Sequence, residues 1–174
     1  MSTHKSSTTK AHHNMWSWIT LSFVIVLADQ ASKYWFDHAL MYGERLNITP
    51  FFDFTLLYNT GAAFSFMANG HTWARWVLIS IAFLAILIIG FLIRKPNQSR
   101  LLYASLSLIL GGAIGNVIDR LTHGHVIDFL LFYWNEWFFP AFNVADIAIS
   151  CGAVLLIVDE IVRIRKSRKP ANRL

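Results

Sequence analysis

Four long apolar runs divide the chain: Met15 to about Phe36, Thr72 to about Ile93, Leu101 to about Leu121, and Ala141 to about Val162. Each has the roughly 20-residue length a helix needs to cross a bilayer core. The run from Thr72 is the plainest, broken only by Arg75 near its start. The first is the shortest in uninterrupted apolar character, and Lys5 and Lys10 precede it, so a signal peptide is the alternative there. Against that, Asp29, Gln30 and Lys33 sit where a signal peptide would be finishing, and no small-x-small cleavage site follows.

Between the first two runs lies the one sizeable polar piece, and Gly43 and Pro50 interrupt any helix there. Phe52–Leu56 alternates as a strand does, Asn59-Thr60-Gly61 signals a turn, and Ala62–Met67 is a second apolar stretch before Asn69-Gly70. A small sheet over residues 43–70 is expected, rich in aromatics suited to a membrane interface. Residues 122–140 are aromatic-rich and end at Pro140, which predicts an amphipathic or irregular segment lying in the interface. Residues 1–14 read as a disordered tail, where His12 and His13 are solvated, and residues 163–174 read as a basic tail. The expected fold is an all-α integral membrane protein: one four-helix domain over 15–162 with a small β-sheet lying on the membrane surface and an interfacial segment.

Composition agrees, with 55% hydrophobic and 14% charged residues and a mean hydropathy of +0.46. The net charge is +5, but the basic residues collect at the ends and in the Arg94–Arg100 turn, not on a face that would hold nucleic acid. That asymmetry predicts cytoplasmic termini by the positive-inside rule. The single cysteine, Cys151, excludes an intrachain disulfide and reads as a small buried hydrophobe.

With that topology the polar residues inside the runs converge on the outer half of the bilayer. Asp29 and Lys33 are four apart and can pair, either as a frayed helix end or as an inward-facing brace. Asn116, Asp119 and Arg120 share one helix face, as do Asn143 and Asp146. Asp146, five residues past Ala141, is placed roughly 7–8 Å deep. Asp128 comes from the connecting segment, which can fold back at Pro140. Asp128 and Asp146 are therefore candidates for a carboxylate pair that shares one proton and activates water. Asparagine and arginine side chains would supply donors to substrate carbonyls.

Three other readings use the same residues. Asp119, Arg120 and their neighbours could form a salt-bridged network that only holds the bundle. His123, His125 and Asp128 read H-x-H-x-x-D, which offers ligands for a metal-dependent membrane hydrolase. A small transporter or proton-relay subunit would also place acids in the membrane, but the inner halves of these runs offer little that is polar.

Five blocks then carry a resemblance: Asp29–Lys33, Asn59–Ser65, Gly111–Arg120, Val126–Phe129 and Phe142–Asp146. In this order and spacing the chain resembles the bacterial lipoprotein signal peptidases, also called signal peptidase II, from about Trp16 to Val162. The resemblance implies an aspartic endopeptidase of the inner membrane with its active site on the periplasmic side. It implies cleavage of diacylglyceryl-modified prolipoproteins just before the lipidated cysteine, without metal or other cofactor. It implies catalytic roles for Asp128 and Asp146, substrate contacts for Asn59, Asn116, Arg120 and Asn143, and supporting roles for Asp29, Lys33 and Asp119. Membrane phospholipid and cyclic-peptide inhibitors of the globomycin type are the other implied partners.

Overall fold

The computed structural model describes residues 15–61 and 72–167. Its elements are α1 (Met15–Ala39), β1 (Arg45–Thr49), β2 (Phe52–Asn59), α2 (Thr72–Ile93), α3 (Arg100–Thr122), β3 (Val126–Trp134), β4 (Trp137–Phe138) and α4 (Val144–Ser167). The Ala62–Met67 stretch and the N-terminal tail lie outside the described residues, as does the end of the basic tail.

The four helices fall where the four apolar runs stand. Two of them, α2 and α3, are long and apolar enough to cross a membrane. The other two are of similar length but carry charged side chains on the faces they turn toward their neighbours, including Asp29 and Lys33 on α1. Helix α3 is central and packs against α1, α2 and α4. Its start is set by Ser99, whose Oγ accepts from the Leu102 N–H at 2.9 Å, just beyond the helix-breaking Pro96.

Small residues let the helices meet closely. A Cβ at Gly112 would collide with the Ala145 carbonyl of α4, and one at Gly115 with the Asp29 carboxylate of α1. On α4 the matching stripe is Ala145, Ala148 and Gly152, all buried. Cys151 lies off that stripe and is exposed, which corrects its expected burial. The single cysteine points away from α3 because Gly152 occupies the contact.

Two expectations about the loops also change. Residues 126–134 are not an amphipathic or irregular segment; they form β3, the third strand of an antiparallel sheet ordered β1-β2-β3-β4. Val126, Ile127, Phe129 and Leu131 are all buried, so the run is buried on both faces near its start and shows no clean alternation to read. In addition, β2 finds an unforeseen partner in Arg45–Thr49. That edge is fastened by Asp53, buried and ion-paired to Arg45, with Asn47 donating to it at 2.9 Å. The sheet is docked on the helices by Phe36, whose ring lies 4.2 Å from Phe129 and 4.8 Å from Phe54 between centroids.

The glycine contacts generate a test. Gly112→Val should destabilise the purified protein by on the order of 1–3 kcal/mol, because the backbone it meets cannot move aside cheaply. Gly90→Ala should leave the melting midpoint nearly unchanged, since an added Cβ there meets nothing within 4 Å. Equal melting of the two variants would contradict this packing.

Candidate functional site

The site lies where the later part of α1, the later part of α3, the first turn of α4 and the β2–β3 ladder come together. Strand register does the first part of the assembly. A bulge between Phe54 and Leu57 of β2 sets Leu57 opposite Asp128 and Asn59 opposite Val126 in β3. Asn59 is then the diagonal neighbour of Asp128 on one face, and its Nδ2 donates to Asp128 Oδ2 at 3.0 Å. The Asn59 Oδ1 accepts from the Gly61 N–H at 2.8 Å, which fixes the amide the right way round.

The chain then returns toward Asp128. Phe142 exchanges backbone hydrogen bonds with Leu130, its N–H donating at 3.0 Å and its carbonyl accepting at 2.9 Å. This sets Asn143 beside Asp128, and the Asn143 Nδ2 donates to Asp128 Oδ1 at 2.7 Å. The same residue caps α4. Its Oδ1 accepts from the Asp146 N–H at 3.0 Å, while Asp146 Oδ2 accepts from the Asn143 N–H at 3.3 Å. This reciprocal pair is a capping box with asparagine and aspartate in its two places. It also moves the expected helix start, because α4 begins at Val144 and not at Ala141. Asp146 is in the first helical turn, close to the sheet, since Pro140 and the Phe142 pairing delay the helix.

The second carboxylate is held from the other side. Asn116 Nδ2 donates to Asp146 Oδ1 at 2.8 Å. The Asn116 Oδ1 accepts from Lys33 Nζ at 3.0 Å, so the lysine fixes which end of the amide faces Asp146. Lys33 is buried to 2% exposure and pairs with two acids, Asp29 at 2.8 Å and Asp119 at 2.9 Å. Of the two readings of this pair, the inward-facing brace is the one formed, with Asp119 as a third member. Asp29 Oδ1 accepts from the Ala145 N–H of α4 at 2.8 Å, and Asp119 Oδ2 from the Ile127 N–H of β3 at 3.1 Å. Thus α1, α3, α4 and β3 are tied to one ammonium. Gln30, to which the sequence reading gave no role, donates to Asp119 at 2.8 Å and to Asp29 at 3.2 Å. Its place beside Asp29 in an otherwise apolar run was the available signal.

Asp128 is buried, whereas Asp146 and Arg120 are half-buried, so the site opens on their side. Arg120 donates to the Asn116 carbonyl at 3.1 Å and lies in the electrostatic field of Asp146, Asp128 and Asp119. Its partner in a purely structural network would have been Asp119, which pairs with Lys33 instead. Burial pushes the Asp128 carboxyl up to about 7, opposed by the Asn59 hydrogen bond and reinforced by the charge of Asp146. The three-residue set His123, His125 and Asp128 is not brought together as metal ligands among the described residues. The His125 ring lies 4.2 Å from that of Tyr58, and burial followed by the neighbouring His123 lowers its pKa. His123 Nδ1 sits 2.9 Å from the Thr122 hydroxyl.

The helical fold with its small antiparallel sheet is shared with solved membrane enzymes. A solved bacterial membrane enzyme, determined by the in meso method at 2.3 Å resolution, superposes with a TM-score of 0.76 at 25% identity, covering 91% of this chain and 94% of that one. A second, determined at 1.9 Å, gives 0.71 at 28% identity over 82% and 91%. The family model for signal peptidase (SPase) II matches residues 21–162, and the chain belongs to that family. It is 50% identical over 151 residues to the lipoprotein signal peptidase of Burkholderia ambifaria, covering 87% of this chain and 91% of that one. The enzyme of Burkholderia thailandensis is 49% identical over the same lengths. The protein is accordingly a membrane peptidase.

The shared ammonium makes a prediction about stability. Lys33→Ala leaves two buried carboxylates without their cation and should cost on the order of 3–5 kcal/mol. Asp29→Ala should cost clearly less, because Asp119 still neutralises the lysine. Thermal melting of both variants in detergent decides it, and a larger loss in Asp29→Ala would show that Lys33 is not the common anchor.

Proposed function

We propose that the protein is an aspartic endopeptidase that removes signal peptides from diacylglyceryl-modified prolipoproteins, with Asp128 and Asp146 as its catalytic pair. The observation that carries this reading is the double attachment of Asn143, which donates to one carboxylate from its side chain and to the other from its backbone. Two acids tied to one residue hold one proton between them more readily than none. The proton rests on Asp128, and Asp146, on the open side, acts as the base. Asp146 takes a proton from a water whose oxygen attacks the scissile carbonyl carbon. Asp128 gives its proton to the departing amide nitrogen. Arg120, with its exposed edge toward the opening, and the amides of Asn59, Asn116 and Asn143 orient the substrate backbone and the two carboxylates. Asp29, Lys33 and Asp119 support them from behind.

The substrate follows from the family and from an aromatic surface of the sheet, at the other end of the β2–β3 ladder from Asn59 and Asp128. The relatives are lipoprotein signal peptidases, and the sheet presents a shallow aromatic depression of about 430 Å³ formed by Phe51, Phe132, Tyr133, Trp134, Trp137 and Phe139. Such a surface suits a lipidated segment at a bilayer interface. The same groove would take cyclic peptides of the globomycin type. The cut falls just before the lipidated cysteine, and all four helices span the inner membrane with cytoplasmic termini and a periplasmic site. The basic-residue asymmetry supports this orientation.

The defining experiment is cleavage of a synthetic diacylglyceryl prolipoprotein by the purified protein. Asp128→Asn and Asp146→Asn should each abolish turnover while melting cooperatively and still binding an uncleavable lipopeptide. The double variant should be hardly worse than either single one, since the pair acts as a unit. Full activity in Asp146→Asn, or equal activity on the unlipidated peptide, would overturn the proposal.

A pH profile tests the shared proton separately. With the Asp128 carboxyl raised to about 7, activity should be retained below that pH and fall as the proton is lost on going above it. Asn59→Ala removes a hydrogen bond that favours the charged carboxylate, so residual activity should persist to higher pH. An alkaline limb unmoved in that variant would detach Asp128 from the profile.

A further inference from the structure

The β2–β3 ladder ends at Asn59, whose side chain holds Asp128 Oδ2. A terminal rung frays unless something besides the ladder secures it. On β2 that support stands one residue back. Successive strand residues point to opposite faces, so Tyr58 lies across the sheet from Asn59. Two diagonal pairs then back onto each other. Asn59 stands opposite Val126 and reaches Asp128, two residues on. Tyr58 stands opposite Ile127, and its ring lies 4.2 Å from that of His125, two residues back.

Tyr58 is gripped from three places. Its hydroxyl donates to Asp37 Oδ1, in the last turn of α1, at 2.9 Å. The Tyr42 ring, from the turn between α1 and β1, lies 5.1 Å away between centroids. His125 reaches it from the turn between α3 and β3. Tyr58 is 37% exposed, so these contacts gain little as core packing, and what they fix is the direction of the strand end. Hydrogen bonding to the Asp37 carboxylate raises the phenol pKa, so the hydroxyl stays a donor wherever the site titrates.

We propose that Tyr58 is a positioning residue for the candidate acid Asp128: fastened to Asp37 on one face of the ladder, it holds the Asn59 amide against Asp128 on the other. Its part in the reaction rests on Asp128 being the acid of the pair. The charges that face Asp128 are Asp146 of α4, Lys33 of α1 and Arg120 of α3.

The test uses the full chain in detergent as wild type, Tyr58→Phe, Asp37→Ala, Asp37→Asn, Asn59→Ala, Tyr58→Phe with Asn59→Ala, and Asn47→Ala. All of them keep Asp146, Lys33 and Arg120. The protonated-carboxyl infrared band, assigned to Asp128 by its loss in Asp128→Asn, is titrated with pH. Asn59→Ala removes a hydrogen bond to the charged form and should move the midpoint up by roughly half to one pH unit. Tyr58→Phe and Asp37→Ala should move it the same way by part of that amount. The sign is decisive for Asp37→Ala, because removing a negative charge through space alone would move the midpoint down. Asp37→Asn keeps an acceptor for the phenol and should show no upward shift. Asn47→Ala, at the far edge of the sheet, should leave the midpoint in place. The alkaline limb of cleavage should follow the band while KM is kept.

An unmoved midpoint in both Tyr58→Phe and Asp37→Ala overturns the role, as does a downward shift in Asp37→Ala. So does a double variant shifted beyond Asn59→Ala, since Tyr58 would then act by another route. The band reads the positioning whatever the protein cleaves. Shifted bands with cleavage indifferent to Asp128→Asn would therefore sink the peptidase mechanism and leave the Tyr58 clasp standing.

Discussion

A lysine ammonium withdrawn from water is the constraint on which the rest of this structure depends. Burying a charge is affordable only with partners that neutralise it and saturate its donors. Lys33 finds two carboxylates and an amide oxygen, all contributed by α1 and α3. Each of those partners has a second acceptor or donor to satisfy, and does so beyond its own helix: Asp29 and Asn116 on Ala145 and Asp146 of α4, Asp119 on Ile127 of β3. The consequence is architectural. Three helices and a strand are fixed relative to one another by a single buried positive charge.

The close approach of those helices is a separate requirement, met by small residues. Gly112 and Gly115 bring α3 within reach of α4 and α1, and Gly115 also makes room for the Asp29 carboxylate itself. Packing and electrostatics are coupled at that position, because a larger side chain would expel the acid that neutralises Lys33. In lipid, where apolar surfaces gain little by meeting each other, such packing and polar contacts carry helix association.

The two candidate catalytic acids are held by different means, and the difference suits different tasks. Asp128 is a strand residue, buried and clasped by two asparagine side chains. Asp146 is a helix-start residue, half-buried, capped by Asn143 and steadied by Asn116. The buried position that favours the neutral carboxyl of Asp128 and the more open position of Asp146 lie on either side of one asparagine.

Much of this was legible in the chain before folding. The four helices follow from runs of apolar residues long enough to span a bilayer. The pairing of Asp29 with Lys33 follows from their four-residue spacing, and most of the candidate site residues stand out as polar groups in apolar surroundings, whereas Asn59 entered only through the family resemblance. What the sequence could not carry was anything fixed by pairing across long intervals. Strand β3 is buried on both faces near its start and shows no alternation. The start of α4 at Val144 depends on Phe142 bonding to Leu130, and the burial of Asp53 depends on Arg45 arriving from another strand. Inward against outward for Lys33, and Lys33 against Arg120 as the partner of Asp119, were decided by where α3 lies against α1. Local spacing determines which residues share a face, but only tertiary packing determines what that face meets.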